Sequence, residues 1–173
     1  MQEFRFMAMD SLMQEQITVL AEKNAALQKT ATINNKQQDT LIIKTDTVFW
    51  KNELGLFSEI NLMNRPLYRD RYRQLTDRQD VASNLMIREF RGDGTVPVTY
   101  LRIYYQDSPN AIRKLEAAYR DSTALLNSKR FFMLEFVDLD SKNILSSYSF
   151  TGSQKLLVGD SVRYSVKARV LFN

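Results

Sequence analysis

The chain has 173 residues, of which 44% are hydrophobic and 25% are charged, with 24 Lys or Arg against 20 Asp or Glu. This length and composition predict one globular domain, or one domain with an extended arm. The sequence contains no His and no Cys, which excludes zinc fingers, disulfide frameworks, thiol nucleophiles and Ser-His-Asp triads.

The first 30 residues predict a long helix, because residues 2–30 contain no Gly or Pro and are rich in helix formers. Asn24 lies in the seam of a partial heptad repeat, where a lone Asn selects register and oligomeric state. The apolar stripe either packs on the chain's own body or forms a coiled-coil or helix-bundle contact with another chain. Its members are Phe6, Met13, Ile17, Leu20 and Leu27.

Two shorter helices are expected next, after a connector. Residues 30–47 are mostly polar around a β-branched run at 41–43, which predicts a connector with at most one short strand. Apolar residues spaced three and four apart predict a helix over 48–63, capped by Asp46 or Thr47. Pro66 favours the first turn of a third helix that extends to residue 79. We therefore expect a helical arm and connector over 1–46 and an α+β domain over 47–173.

The period of the apolar residues changes from residue 81 onwards. Two β-rich runs flank the turn sequence at 91–94, Arg-Gly-Asp-Gly, and predict a β-hairpin. Helical spacing of apolar residues then predicts an inserted helix over 111–126, and three strands follow over 130–140, 142–150 and 161–173. The expected fold class is α+β: an N-terminal helical arm (one long helix plus two shorter ones) followed by a mostly antiparallel sheet of about five strands with one inserted helix.

Basic charge is concentrated in the middle of the chain. Residues 65–130 carry 13 basic and 8 acidic groups, whereas residues 1–64 carry 6 and 8. The segment 65–78 interleaves Arg with Tyr, which fits a solvated, ion-paired helix, an Arg anchor in a protein interface, or a nucleic-acid contact. Its candidate contact residues are Tyr68, Arg69, Arg71, Tyr72 and Arg73.

Motifs that carry catalysis or metal binding are missing from the sequence. It has no glycine-rich phosphate loop and no nucleophile elbow. Segment 138–143 resembles a calcium loop but has Lys at the fifth place and no Gly at the sixth, which favours a type I turn. The adhesion-like tripeptide at 91–93 is better explained as a turn. The acidic candidates for acid-base chemistry form no evident pair: Glu89, Glu116, Glu135 and Asp138. We predict no catalytic residue, no cofactor and no metal.

These patterns predict a non-enzymatic structural or assembly subunit of a larger complex, such as a bacterial envelope or secretion assembly or a virion. The N-terminal helix would associate with another copy or a protein partner, and the Tyr/Arg segment would add a second contact. The alternative is a nucleic-acid-binding module that uses residues 65–78. A third hypothesis is a ligand cavity near Trp50 and Phe131–Phe132. No apolar run reaches 18 residues, so the chain is expected to be soluble as written, whether cytoplasmic, virion-associated, or envelope-associated through an upstream anchor.

Overall fold

The computed structural model describes residues 6–172, and these residues form mostly β-structure, with 51% strand and 21% helix. The α-helices are α1 (Met9–Glu22) and α2 (Thr47–Leu54), and α2 continues into a 3₁₀ segment, Gly55–Asn64. A shorter 3₁₀ turn covers Arg69–Arg71. The strands are β1 (Ala26–Ile33), β2 (Lys36–Ile42), β3 (Tyr72–Gln74), β4 (Arg78–Gln79), β5 (Met86–Gly92), β6 (Val98–Tyr105), β7 (Ile112–Ser122), β8 (Leu126–Leu139), β9 (Lys142–Leu156) and β10 (Ser161–Leu171).

These strands form one antiparallel sheet in the order β2-β1-β10-β9-β8-β7-β6-β5-β3, and β4 also pairs with β5. The first and last strands of the chain are neighbours, and Leu27 faces Val170. Helices α1 and α2 and the long 3₁₀ segment pack on one face, which we call the covered face. Because side chains alternate along a strand, Phe132 lies on the covered face and Met133 on the opposite, open face.

The core lies between the covered face and the helical layer. The Phe57 ring packs edge-on against Phe132 and Tyr148, with ring centroids 5.8 and 5.4 Å apart. Trp50 and Leu20 are also completely buried. Full burial of a large apolar side chain contributes about 1.5–3 kcal/mol, so these contacts hold the helical layer firmly on the sheet.

The expected fold class is wrong, because the described residues form one antiparallel sheet of ten strands rather than a helical arm followed by about five strands. The long N-terminal helix is also much shorter than predicted. Asn24 adopts the left-handed conformation (φ 47°) that ends a helix, and α1 stops at Glu22. Asn34 and Asn35 also have positive φ (45° and 68°) and turn β1 into β2, as in a type I′ hairpin. The residues predicted as a helix end and a connector therefore form a hairpin in the main sheet.

The predicted third helix over 66–79 and the inserted helix over 111–126 are also wrong. The first region forms only the short 3₁₀ turn and strands β3 and β4. In the second region, Leu115 and Ala117 are buried on the covered face, while Lys114 and Glu116 lie on the open face. The sequence fits periods of both two and 3.6, and pairing with β6 and β8 on both sides selects the strand.

Other predicted elements are confirmed. Strands β5 and β6 form the hairpin expected around residues 91–94, and Asp93 accepts the Thr95 backbone N–H at 2.9 Å. The three predicted C-terminal strands correspond to β8, β9 and β10. The turn between β8 and β9 is of another type than predicted, since both Asp140 and Ser141 have positive φ.

Some predictions remain as they were. The domain boundary at residue 46 stays a prediction, and β1 and β2 share one sheet with the remaining strands. Residues 2–5 of the predicted first helix and residue 173 of the predicted last strand lie outside the described residues. Between residues 6 and 172, no helix is long and apolar enough to span a membrane.

Candidate functional site

The residues predicted to dock the N-terminal helix on a partner lie in the chain's own core. The Phe6 ring packs edge-on against the rings of Tyr72 and Phe90, at centroid distances of 5.3 and 5.1 Å. No coiled coil occurs within the described part of the chain. In this fold the five side chains are covered by the sheet and the helical layer: Phe6, Met13, Ile17, Leu20 and Leu27.

The two tyrosines of the Tyr/Arg segment have structural positions. Tyr72 is buried, and its hydroxyl donates a hydrogen bond to the Val98 carbonyl at 2.8 Å. Burial raises the pKa of Tyr72, and the nearby Asp93 adds to the rise. Tyr68 is half-buried against the core. Neither ring is placed to stack freely on a ligand.

The arginines of this segment lie nearer to solvent. Arg69 lies 4.0 Å from the carboxylate of Asp70, and Arg71 donates a hydrogen bond to the Thr95 hydroxyl at 2.8 Å. Arg73 is exposed on β3 and has no ion-pair partner among residues 6–172. Of the five predicted contact residues in this segment, Arg73 is therefore the one on the open face with an unengaged charge.

The open face of the sheet is strongly basic. Strand alternation and the pairing registers place cations on eight strands of this face. Acidic side chains are fewer: Asp39, Glu89, Glu116 and Glu135. The cations are Arg73 (β3), Arg78 (β4), Arg91 (β5), Arg102 (β6), Lys114 and Arg120 (β7), Lys129 (β8), Lys155 (β9), and Arg163, Lys167 and Arg169 (β10).

Glu89 is the best-enclosed carboxylate on this face. It is completely buried and accepts hydrogen bonds from Arg91 at 2.6 Å, Arg78 at 3.0 Å and Arg102 at 3.1 Å. Burial raises the pKa of Glu89, but the three guanidinium groups outweigh that effect and lower it to about 2. The three arginines thus keep the Glu89 carboxylate ionised, which suits a structural role rather than proton transfer. Three cations surround this single anion.

Glu116 lies at the centre of a second network on the neighbouring strands. It accepts a hydrogen bond from the Tyr104 hydroxyl at 2.9 Å and pairs with Lys114 at 3.1 Å and Arg102 at 3.7 Å. Burial and the hydrogen bond to Glu116 raise the pKa of Tyr104 to about 12. The acidic groups of this region are neutralised within the protein, so the open face keeps a surplus of positive charge.

Cations of like charge also face each other directly across strands. Arg73 lies opposite Arg91, and Arg120 lies opposite Lys129. Directly opposed like charges destabilise an antiparallel pair. Within the residues that the structure describes, Arg73, Arg120 and Lys129 form no ion pair. These side chains are free to bind an anionic ligand.

A shallow polar groove of about 420 Å³ runs over the central strands of the open face. Ser147 and Ser149 lie along its floor, and Lys167 and Arg169 lie beside them on β10. The Ser147 hydroxyl donates a hydrogen bond to Glu135 at 2.5 Å. The hydroxyl, amide and charged groups of this lining can form hydrogen bonds and ion pairs, and Met133 and Ala168 add apolar surface.

The structure also places the acidic candidates for acid-base chemistry and the region of the predicted ligand cavity. Between residues 6 and 172, no group of three acidic side chains is close enough to hold a metal ion. Glu116 and Glu135 are engaged as described, and Asp138 is exposed. In the region of the predicted ligand cavity, Trp50 and Phe132 are completely buried, while Phe131 lies on the open face.

Sequence reasoning missed most of the open face. The alternation of Lys167 and Arg169 with apolar residues was visible in β10, but the cations of β7 were hidden by the predicted helix. No local pattern shows that Arg73 and Arg91 would be paired across strands. Comparison of this chain with protein-family models, curated proteins and solved structures finds no match.

Proposed function

We propose that this protein is a non-enzymatic subunit of a larger assembly that binds an acidic partner protein through the open face of its sheet. One observation carries the proposal: the like-charge pairs Arg73–Arg91 and Arg120–Lys129 lie on a face where Glu89 and Glu116 are already paired with other cations of the chain. An acidic surface placed over these pairs would relieve their repulsion.

The chemistry of the groove supports a protein partner. Ser147, Ser149 and Gln28 offer hydrogen bonds beside the cations Lys167 and Arg169, and polar groups of this kind suit the rim of a protein interface. The basic surface also extends over most of the sheet rather than surrounding one compact pocket. A broad acidic surface of a folded partner fits this arrangement better than a small anion.

The charge of the open face also favours a different chain over a second copy. In a two-fold dimer the same surface contacts itself, so open-face pairing would bring two basic surfaces together. Docking through the N-terminal helix, which the sequence predicts, is less suitable because the apolar side chains of that segment are buried in this fold. We therefore assign the partner contact to the open face.

A binding assay with an acidic polypeptide tests this proposal. Fluorescent poly-L-glutamate is titrated with the full chain at low and at near-physiological salt, and anisotropy reports binding. Replacing Arg73 and Arg120 by Gln is expected to weaken binding at least fivefold, because each removes a cation without an internal partner. Lys167→Gln with Arg169→Gln tests the groove separately.

The matched control is Lys51→Gln, since Lys51 is an exposed cation on α2 at the other side of the sheet. It should bind as the wild type does. Absence of wild-type binding at low salt, or equal weakening by Lys51→Gln, would overturn the proposal. Point variants are preferable to deleting residues 1–30, because that deletion removes α1 from the core.

Single-stranded nucleic acid is the second candidate ligand. Arg91 lies opposite Tyr100 on the open face, and Arg73 lies opposite Arg91. Arg102 lies over the Tyr100 ring at 4.6 Å, while Phe131 is only partly buried on the same face. Cations together with partly exposed rings suit phosphates and stacked bases. A salt titration with single-stranded and duplex DNA decides between the candidates. DNA binding that is tighter than poly-L-glutamate binding and lost in Arg73→Gln would favour nucleic acid.

A further inference from the structure

One end of the sheet displays large apolar side chains to solvent. Leu125 is 69% exposed, Leu157 74% and Val158 86%, and Leu156 is also exposed. The β7–β8 and β9–β10 turns that carry them are neighbours, because Leu126 pairs with Leu156 and the Leu157 N–H donates to the Leu125 carbonyl at 3.1 Å. We call Leu125, Leu156, Leu157 and Val158 the apolar tip.

The apolar tip lies beyond the reach of the helical layer. Strands β8 and β9 are 14 and 15 residues long. The long 3₁₀ segment contacts β8 through the ion pair of Glu59 with Arg130, and the tip begins five residues before Arg130 in the chain. The β7–β8 turn has its own hydrogen bond, since the Thr123 hydroxyl accepts the Leu126 N–H at 3.1 Å. Its apolar side chains are therefore held outward by the turn.

Cations border the apolar tip on the open face. Lys129, Lys155 and Arg163 lie on the strands that lead to the turns and are exposed. Asp121 and Asp160 are the acidic residues of the same end, and they leave a positive excess. Exposed apolar side chains that project from ordered turns, with cations behind them, fit the boundary between headgroups and acyl chains of an anionic membrane.

We propose that the apolar tip binds peripherally to membranes that contain anionic lipids. Leu157 and Val158 enter the apolar boundary, and Lys129, Lys155 and Arg163 contact the lipid phosphates. A second copy of the chain is the less suitable occupant. Four side chains on two turns offer far less contact area than the roughly 800 Å² that each partner buries in a stable interface. The bordering cations of two copies would also repel each other.

Vesicle co-sedimentation with the full chain tests the proposal. The wild type is expected to bind phosphatidylcholine vesicles that contain about 30% phosphatidylserine, and to bind pure phosphatidylcholine much less. Leu157→Asp with Val158→Asp should lower partitioning at least tenfold, because it removes the apolar contact and adds negative charge. Val81→Asp is the matched control, since Val81 is fully exposed in a loop away from the tip, and it should bind as the wild type does.

The charge and insertion steps can be measured separately. Lys129→Gln and Lys155→Gln should each weaken binding to the anionic vesicles about fivefold, the fold-change of about 1 kcal/mol per cation, while Lys51→Gln leaves it unchanged. Leu157→Trp keeps the side chain apolar and should show a blue shift of its fluorescence when anionic vesicles are added.

Four outcomes would overturn the membrane contact. They are no binding of the wild type, equal binding of the Leu157/Val158 double variant, no shift of the Trp signal, or loss of binding in Arg73→Gln alone. Light scattering adds a fifth test. A wild-type dimer that the double variant dissociates, without any vesicle binding, would assign the tip to a second copy of the chain.

Discussion

The side-chain amide of Gln16 on α1 takes the place of a neighbouring strand beside Leu145 on β9. Its Oε1 accepts the Leu145 backbone N–H at 2.8 Å, and its Nε2 donates to the Asn143 carbonyl at 3.0 Å. The pairing of β9 with β10 ends at Ser147 and Arg169. The buried glutamine thus satisfies the edge of β9 beyond the end of β10, and it ties α1 to the sheet.

Gln16→Ala is expected to lower the free energy of unfolding by about 2–4 kcal/mol. Two buried backbone groups lose their partner, and each costs about 1–3 kcal/mol when left unsatisfied. Urea denaturation measures the change. Gln14→Ala is the control, because Gln14 is exposed on the same helix and should change little. Similar effects of the two variants would contradict the bridging role of Gln16.

Gly152→Ala is expected to destabilise the sheet by about 1–3 kcal/mol through overpacking. A Cβ at this position would lie 2.3 Å from the Tyr164 ring and hydroxyl. The ring would have to move away from Arg130, whose Nε donates to the Tyr164 hydroxyl at 3.1 Å. Gly55→Ala is the control, since a Cβ added at Gly55 would contact no other part of the chain within 4 Å and the Gly55 backbone has a φ of −59°, which any residue can adopt. Thermal unfolding that is equal for both variants would refute the close packing at Gly152.

Glu89→Gln is expected to flatten the acid dependence of stability. The folded-state pKa of Glu89, about 2, lies below its ordinary value of 4.5. Its charge therefore stabilises the fold above about pH 5, and this contribution, on the order of 3 kcal/mol, is lost as the pH falls towards 2. Urea denaturation between pH 7 and pH 2 measures the slope.

The difference between wild type and variant isolates Glu89 from other carboxylates that titrate in the same range. Asp77 is one of these, because its hydrogen bonds from Arg88 lower its pKa despite some burial. Glu15→Gln, at an exposed position on α1, should keep the wild-type slope. An unchanged slope in Glu89→Gln would mean that its carboxylate is not held ionised by the three arginines.

Arg120→Glu is expected to stabilise the fold by about 0.2–1 kcal/mol and to weaken binding of poly-L-glutamate. The change converts a like-charge pair with Lys129 into an opposite-charge pair. The gain in stability should vanish when Lys129→Gln is added, and it should shrink at about 1 M salt. A loss of stability in the single variant would show that Arg120 and Lys129 do not repel each other in the folded chain.

Local patterns predicted some strands but not the sheet. The alternation of Val166, Ala168 and Val170 with Lys167 and Arg169 was sufficient to predict β10. The position at which α1 ends depends on Asn24. This residue is equally compatible with a heptad position inside a helix and with the end of a helix. The conformation of β7 was set by its neighbours β6 and β8, and these contacts cannot be read from the segment itself.

The open face and the apolar tip were less predictable still. Arg73 and Arg91 are 18 positions apart, and Leu125 and Leu157 are 32 apart, so each pair is defined only by strand pairing. Exposure of Leu157 and Val158 also runs against the usual burial of such residues. The sequence places Leu157 and Val158 in the segment between two predicted strands, and only the pairing of β8 with β9 brings them beside Leu125.

The pairing of β1 with β10 also determines when the sheet can be completed during synthesis. Strand β1 precedes its partner β10 by most of the described chain, so β10 is synthesised much later than β1. Until then the apolar side of β1, including Leu27, lacks its neighbour Val170. Such distant pairing slows folding and prolongs the exposure of apolar surface. The sheet is therefore completed only after β10 has left the ribosome, and a chain truncated before β10 would leave β1 and β2 without a strand to pair with.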